Sequence, residues 1–163
     1  APMLEILYGG LPENTAMSIT KAATLMGRSE KYILGRGAYD GTYDYVHSSI
    51  SSEPRYAYLH DIQLHDRNYQ TYGGTYAWLT AAVKAADKAV KNADRYSTPT
   101  LLFQAELDNT VGASGQNAFA DRASNVQLIQ VLGAKHSIQL SENPILIPFM
   151  DQVMDFYEEH LKN

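Results

Sequence analysis

Apolar positions fall into short runs at the two ends of the chain and into helical stripes between them. Residues 2–8 (PMLEILY) form an apolar run closed by Gly9-Gly10, which predicts a buried strand and its exit turn. Met17, Ile19, Ala22, Ala23, Leu25 and Met26 then follow a helical spacing, with Asn14 or Thr15 as the cap and Gly27 as the stop. From residue 28 to 50 the periodicity fades. Tyr32, Tyr39, Tyr43 and Tyr45 stand there among glycines, which predicts irregular structure resting on aromatic contacts. Ser51-Ser52-Glu53-Pro54 opens a second helix, with the proline in its first turn.

A clearer helix follows Tyr72-Gly73-Gly74. Thr75 caps it, and Trp78, Leu79, Ala82, Val83, Ala86 and Val90 mark its apolar stripe to about Asp94, with Lys84, Lys88 and Lys91 on the other face. The character changes at Ser97-Thr98-Pro99. TLLFQA (100–105) predicts a strand, residues 117–122 a short helix, and VQLIQVLG (126–133) a second strand. Asn143-Pro144 opens a last helix with Ile147, Met150, Val153, Met154, Phe156, Tyr157 and Leu161 inward. Strand, turn and helix, repeated, is the parallel and helix-covered pattern of an α/β protein.

Composition narrows the function more than the fold. The 163 residues fit one domain, and 45% of them are hydrophobic. A net charge of −5 without any Lys/Arg cluster argues against nucleic acid as a partner. The chain has no cysteine, so disulfides, thiolate metal sites and a cysteine nucleophile are excluded. That suits a reducing cytosol and is equally compatible with export. No apolar run reaches the roughly 18 residues of a membrane span. The chain enters an apolar run at Ala1, which raises the expectation of sequence upstream of it.

The candidate chemistry lies in the turns. In an open parallel sheet, ligands gather where strand carboxyl ends meet the following loops. Asp108 follows the TLLFQA strand by three residues, and His136 follows Gly133 by three. A carboxylate there can hold an imidazole in one tautomer, and the imidazole can take a proton from an attacking hydroxyl. Taken singly, Asp108-Asn109-Thr110 is ordinary turn chemistry and a lone histidine before a helix is ordinary structure. Acid then histidine after consecutive strands is the order of the last two members of a Ser…Asp…His triad.

These residues also carry a resemblance. TPTLLFQAELDNTV (98–111) and GAKHSIQLSEN (133–143) resemble the end of an α/β-hydrolase of the lysophospholipase and monoacylglycerol-lipase group, and YGGTYAWL (72–79) is similar to a lid segment of bacterial L2-type lysophospholipases. The resemblance implies the C-terminal portion of an α/β-hydrolase sheet, its last three strands with their helices, plus a mostly helical lid. The whole of 1–163 would be one fragment of such a domain, with 10–95 as the lid or cap insertion and 96–163 as the core. It implies Asp108 as the acid, His136 as the general base, no cofactor and no metal. Glu142 is a weaker candidate for a supporting role and reads better as a helix-start carboxylate. The substrate implied is a lipid-like ester, and the place the cytoplasm or the periphery of the inner membrane, with transient contact through the lid.

The departure from the family pattern is the nucleophile. No G-x-S-x-G elbow is present, and Gly112-Ala113-Ser114-Gly115 has the wrong spacing, so Ser114 reads as a helix cap. The serine and the oxyanion loop are expected upstream of Ala1. The 2–8 strand is then expected to expose an edge, covered by the missing half or by another copy. Alternatives are a hydrolase of other esters or peptides on the same fold, or a non-catalytic interaction module. His60 and His65, about 140° apart on a helix, do not converge on a metal. His160 suits a helix C-terminus, and Trp78 and the tyrosines read as packing.

Overall fold

The computed structural model describes residues 1–161. Its elements in chain order are α1 (Glu13–Leu25), α2 (Glu53–His65), α3 (Tyr76–Lys91), β1 (Thr100–Ala105), α4 (Ala113–Arg122), β2 (Val126–Val131) and α5 (Asn143–His160), with single 3-10 turns at Arg67–Tyr69, Ala93–Arg95 and Ile138–Leu140. This is the expected α/β class. Residues 10–95, by contrast, are α1, α2 and α3 joined by irregular chain.

β1 and β2 run parallel and in register, from Thr100 beside Val126 to Ala105 beside Val131. Alternation along β1 divides its side chains between two layers. On one face Phe103 and Ala105 meet Val131, Ala134, Ile138 and the Ile145 and Phe149 side chains of α5. Phe103 and Phe149 stand edge to face at 4.5 Å, a geometry that suits the aromatic quadrupoles. On the other face Gln104 donates to the Ala113 carbonyl at 3.2 Å and to Asn117 Oδ1 at 3.0 Å, fastening α4 across the strand.

α3 forms where its capping chemistry predicts. The Thr75 hydroxyl accepts from the Trp78 N–H at 3.1 Å, meeting one of the otherwise unpaired donors of the first turn. The helix buries Tyr76, Leu79, Ala82 and Ala86 and packs between α1 and α4. It thereby joins α1 to α4. Trp78, expected in that stripe, is 49% exposed and lies at the rim of a cavity instead. The irregular segment does rest on aromatic contacts: Tyr43 stands edge to face on Tyr56 at 4.9 Å and on His60 at 5.1 Å.

Three expectations require correction. Residues 2–8 do not form a third strand; Ile6 makes a single antiparallel bridge with Val111. The Gly112 N–H donates to the Glu5 carbonyl at 3.0 Å and the Leu7 N–H to the Thr110 carbonyl at 3.3 Å, so this segment runs along the exit of a loop rather than beside the sheet. The stripe assigned to α5 is also largely exposed: Ile147, Met150, Met154, Tyr157 and Leu161 face outward. Ile145 and Phe149, one turn apart, pack against the cluster of Ala105, Ala134 and Ile138. The α1 cap is likewise Pro12 rather than Asn14 or Thr15.

Candidate active site

The parallel register explains why residues far apart in sequence meet. β1 and β2 end level with each other, so the loops after Ala105 and Val131 leave the sheet side by side. The Glu106 N–H donates to the Val131 carbonyl at 3.1 Å and the Leu107 N–H to the Ala134 carbonyl at 2.9 Å. The Gly133 N–H returns a bond to the Glu106 carboxylate at 2.7 Å. Gly133 has φ +70°, a left-handed conformation that glycine adopts without a Cβ penalty, and it turns the chain back toward the first loop.

Asp108 divides its carboxylate between two tasks. Oδ1 accepts the Thr110 and Val111 N–H groups at 2.9 and 3.0 Å, closing the turn on itself. Oδ2 is thereby aimed at His136, whose Nδ1–H donates to it at 2.8 Å. The Asp108 side chain is 6% exposed and that of His136 27% exposed. Turn formation and imidazole orientation are therefore one arrangement. The carboxylate is nearly out of water, and the imidazole is partly exposed. With Nδ1 donating to the acid, Nε2 is the ring atom free to accept a proton.

The histidine loop is built differently. The Ile138 N–H donates to the His136 carbonyl at 3.1 Å, around Ser137 at φ −86° and ψ 67°, which is an inverse γ-turn. Ala134 and Ile138, on either side, are buried. The Ser137 N–H donates to the Ser49 carbonyl at 3.0 Å, and the two serine hydroxyls are 2.9 Å apart. Sequence reasoning missed this contact with the cap; SSISSEP reads only as a helix start.

Other singled-out residues have structural places. Ser114 lies inside the first turn of α4, whose N-cap is Gly112, and its hydroxyl bonds to Glu5. The Gly115 N–H donates to the same carboxylate at 3.0 Å, so an anion sits at the positive end of the helix. A Cβ on Gly112 would collide with Glu5 and one on Gly115 with the Leu4 carbonyl. These glycines serve close backbone approach. Glu142 caps α5 through its backbone, without a side-chain bond. His60 is buried in the tyrosine cluster, His65 bonds to the Asp61 carbonyl, His160 to that of Phe156, and His47 to Asp44. Among the described residues no group of three His, Asp or Glu side chains is placed to hold a metal ion, and no helix is long and apolar enough to cross a membrane.

A cavity of about 560 Å³ opens between the cap and the acid turn. Thr110 contributes to one wall, and Leu11, Ile19, Ile33, Trp78 and Leu79 supply apolar surface. Among the described residues, Arg36 is the one charged residue lining it. A larger groove of about 810 Å³ follows β1 and reaches Ile138 and Gln139, beside the histidine loop.

A family model described as serine aminopeptidase, S33, matches residues 16–143. Lysophospholipase L2 of Escherichia coli K12 is 23% identical over 98% of the chain and 49% of its own length. A probable lysophospholipase L2 of Haemophilus influenzae is 21% identical over 74% of the chain and 39% of its own length. The chain thus spans half the length or less of these relatives. Among solved structures, a soluble variant of Saccharomyces cerevisiae monoglyceride lipase in complex with a substrate analogue superposes with a TM-score of 0.64 at 15% identity, over 91% of this chain and 50% of that one. The monoacylglycerol lipase of Paleococcus ferrophilus gives 0.63 at 16% identity, over 98% of this chain and 56% of that one. These likenesses are of fold.

Proposed function

The chain belongs to the serine aminopeptidase S33 family of the α/β-hydrolases, and from that premise we propose that it is part of a carboxylic ester hydrolase, a lysophospholipase, working by a Ser-His-Asp mechanism. His136 is the general base and Asp108 its orienter. The observation that carries the reading is the 2.8 Å bond from His136 Nδ1 to an Asp108 carboxylate already fixed by two backbone amides. The nucleophile is a serine outside these 163 residues. Support comes from the length of the matched relatives and from GASG at 112–115, whose glycines and serine are occupied in holding the segment around Glu5.

In this mechanism the serine hydroxyl attacks the ester carbonyl while His136 Nε2 takes its proton. Asp108 stabilises the imidazolium. The proton then passes to the departing alcohol, and water repeats the sequence on the acyl-enzyme. Backbone N–H groups outside these residues stabilise the oxyanion. The cavity beneath the cap receives the acyl chain. The exposed Leu25, Met26 and Leu34 of the cap favour transient contact with a membrane surface, and a cytoplasmic enzyme at the periphery of the inner membrane accords with that. The 163 residues alone turn over no ester.

The family description favours a second reading, an aminopeptidase. Such an enzyme must receive a cationic amino terminus, whereas among the described residues the cavity below the cap is lined by no carboxylate and by Arg36. That chemistry suits an acyl chain. The test compares lysophosphatidyl lipids, monoacylglycerols, p-nitrophenyl esters and aminoacyl peptides on the full-length protein, with His136→Ala alongside. The expected result is highest kcat/KM on a lysophospholipid, lost in the variant. A peptide preference supports the second reading, and no turnover of any substrate leaves a non-catalytic interaction module.

A further inference from the structure

The acid turn closes on itself, but the histidine loop is fastened from outside by one short stretch of the cap. Ser48, Ser49, Ser52 and Arg55 contact it on both sides of His136. Before the histidine, the Lys135 ammonium donates to the Ser48 carbonyl at 3.2 Å and lies 5.7 Å from the centre of the Tyr45 ring. Immediately after it, Ser49 accepts the Ser137 N–H at 3.0 Å, and the paired hydroxyls are 2.9 Å apart. Farther on, the Ser52 N–H donates to the Leu140 carbonyl at 3.3 Å. Arg55 then donates to the Ser141 carbonyl and to Asn143 Oδ1, both at 2.6 Å.

These bonds act on a loop with little regular structure of its own. His136 is followed by an inverse γ-turn, whose single weak internal bond does not fix the ring direction. Beyond its own χ angles, the direction of the imidazole depends on how the His136 backbone is held, and the Ser137 amide belongs to the peptide that leaves it. The Ser49 carbonyl accepts that amide, and the hydroxyl pair fixes Ser49 and Ser137 relative to each other, so that losing the pair loosens the peptide as well. Ile50 and Ser52, which flank the contact in the cap, are buried and anchor it.

We propose that Ser49 is a positioning residue for His136, and that residues 48–55 of the cap form a clamp that keeps the imidazole on the Asp108 carboxylate. Cap and histidine are then mechanically coupled: a displacement of this stretch of cap turns the ring away from its acid. The proposal rests on the assignment of His136 as the base for its kinetic consequence, but not for its structural one.

The experiment uses the full-length protein with Ser49→Ala, Ser137→Ala, the double variant and Ser49→Thr, which keeps the hydroxyl. Two quantities are read: the low-field proton resonance of His136 Nδ1–H, and kcat and KM on the ester hydrolysed best. The expected result is a broadened or shifted resonance in Ser49→Ala. A fall in kcat of about five-fold, the worth of one neutral hydrogen bond, is expected with KM little changed. The double variant should lose no more than either single one, and Ser49→Thr should restore most of both signals. Should Ser49→Ala not fold, faster exchange of the Ser137 amide in Ser49→Thr than in the parent, with the resonance unmoved, would count against the clamp. An unmoved resonance in a folded Ser49→Ala, or losses that multiply in the double variant, would overturn it. If the parent hydrolyses no ester the functional reading fails, while the resonance still decides this one.

Discussion

The two residues that meet at the site are held by different means. The Asp108 carboxylate is fixed by its own turn, accepting the amides two and three residues ahead of it, while residues 110–112 beyond it also bond to the segment around Glu5. The histidine loop, residues 132–142, draws its outer contacts from Ser48, Ser49 and Arg55, more than 80 positions earlier. Near-neighbour chemistry is written in a short string of residues and can be read there. A contact across the fold depends on where two distant segments come to rest.

Substitutions on either side of the site test that contrast. The largest effect belongs to Asp108→Asn, which keeps the shape of the turn but offers His136 an amide that cannot enforce the same tautomer. On the mechanism proposed, kcat on the best ester should fall by about 10⁴. The far-ultraviolet circular dichroism spectrum should stay as it is. A loss of fold instead would mean that the turn, and not the imidazole, is what the carboxylate serves.

Gly115→Ala comes next. Its Cβ would press on the Leu4 carbonyl, a backbone atom with little room to yield, and should destabilise by about 1–3 kcal/mol. Thermal denaturation reads it as a lower Tm, by several degrees. An unchanged Tm would show that the segment around Glu5 is not docked on α4 as described.

Arg55→Met removes both donors on the Ser141 carbonyl and Asn143 while keeping an apolar stem. A cost of about 1–3 kcal/mol in stability is expected, from a carbonyl left without its charged donor. Hydrogen exchange should localise the loosening to residues 137–143. Exchange that quickens evenly over the chain would separate Arg55 from the histidine loop. The smallest effect is that of Glu5→Gln, which removes a charge from the amino end of α4. It should cost about 0.3–1 kcal/mol, less at high salt, as urea denaturation at two ionic strengths would show.

The same division governs what the sequence revealed. β1 coincides with TLLFQA, Thr75 caps α3 through its own hydroxyl, and Pro54 stands in the first turn of α2. Each is decided by residues within a few positions. The pairing of Asp108 with His136 was also legible, because two parallel strands of equal length bring their exits level. The run at residues 2–8 misled, since a short apolar run is also satisfied by lying along residues 110–112. Glu5, polar within that run, was the one sign: its carboxylate belongs at the start of α4, where two glycines make room for it. The stripe on α5 misled for another reason. Periodicity shows which face of a helix is apolar, not how much of that face a given neighbour covers.

In the proposed mechanism His136 acts as the base of an ester hydrolase with Asp108 behind it. The most direct test of that role is kcat of the full-length protein on the best ester for His136→Ala, Asp108→Asn and the two combined. A loss of about 10⁴ or more in His136→Ala, with no further loss when Asp108→Asn is added, is the predicted result, because the pair acts as one unit. Turnover that survives His136→Ala, or two losses that multiply in the double variant, would contradict it.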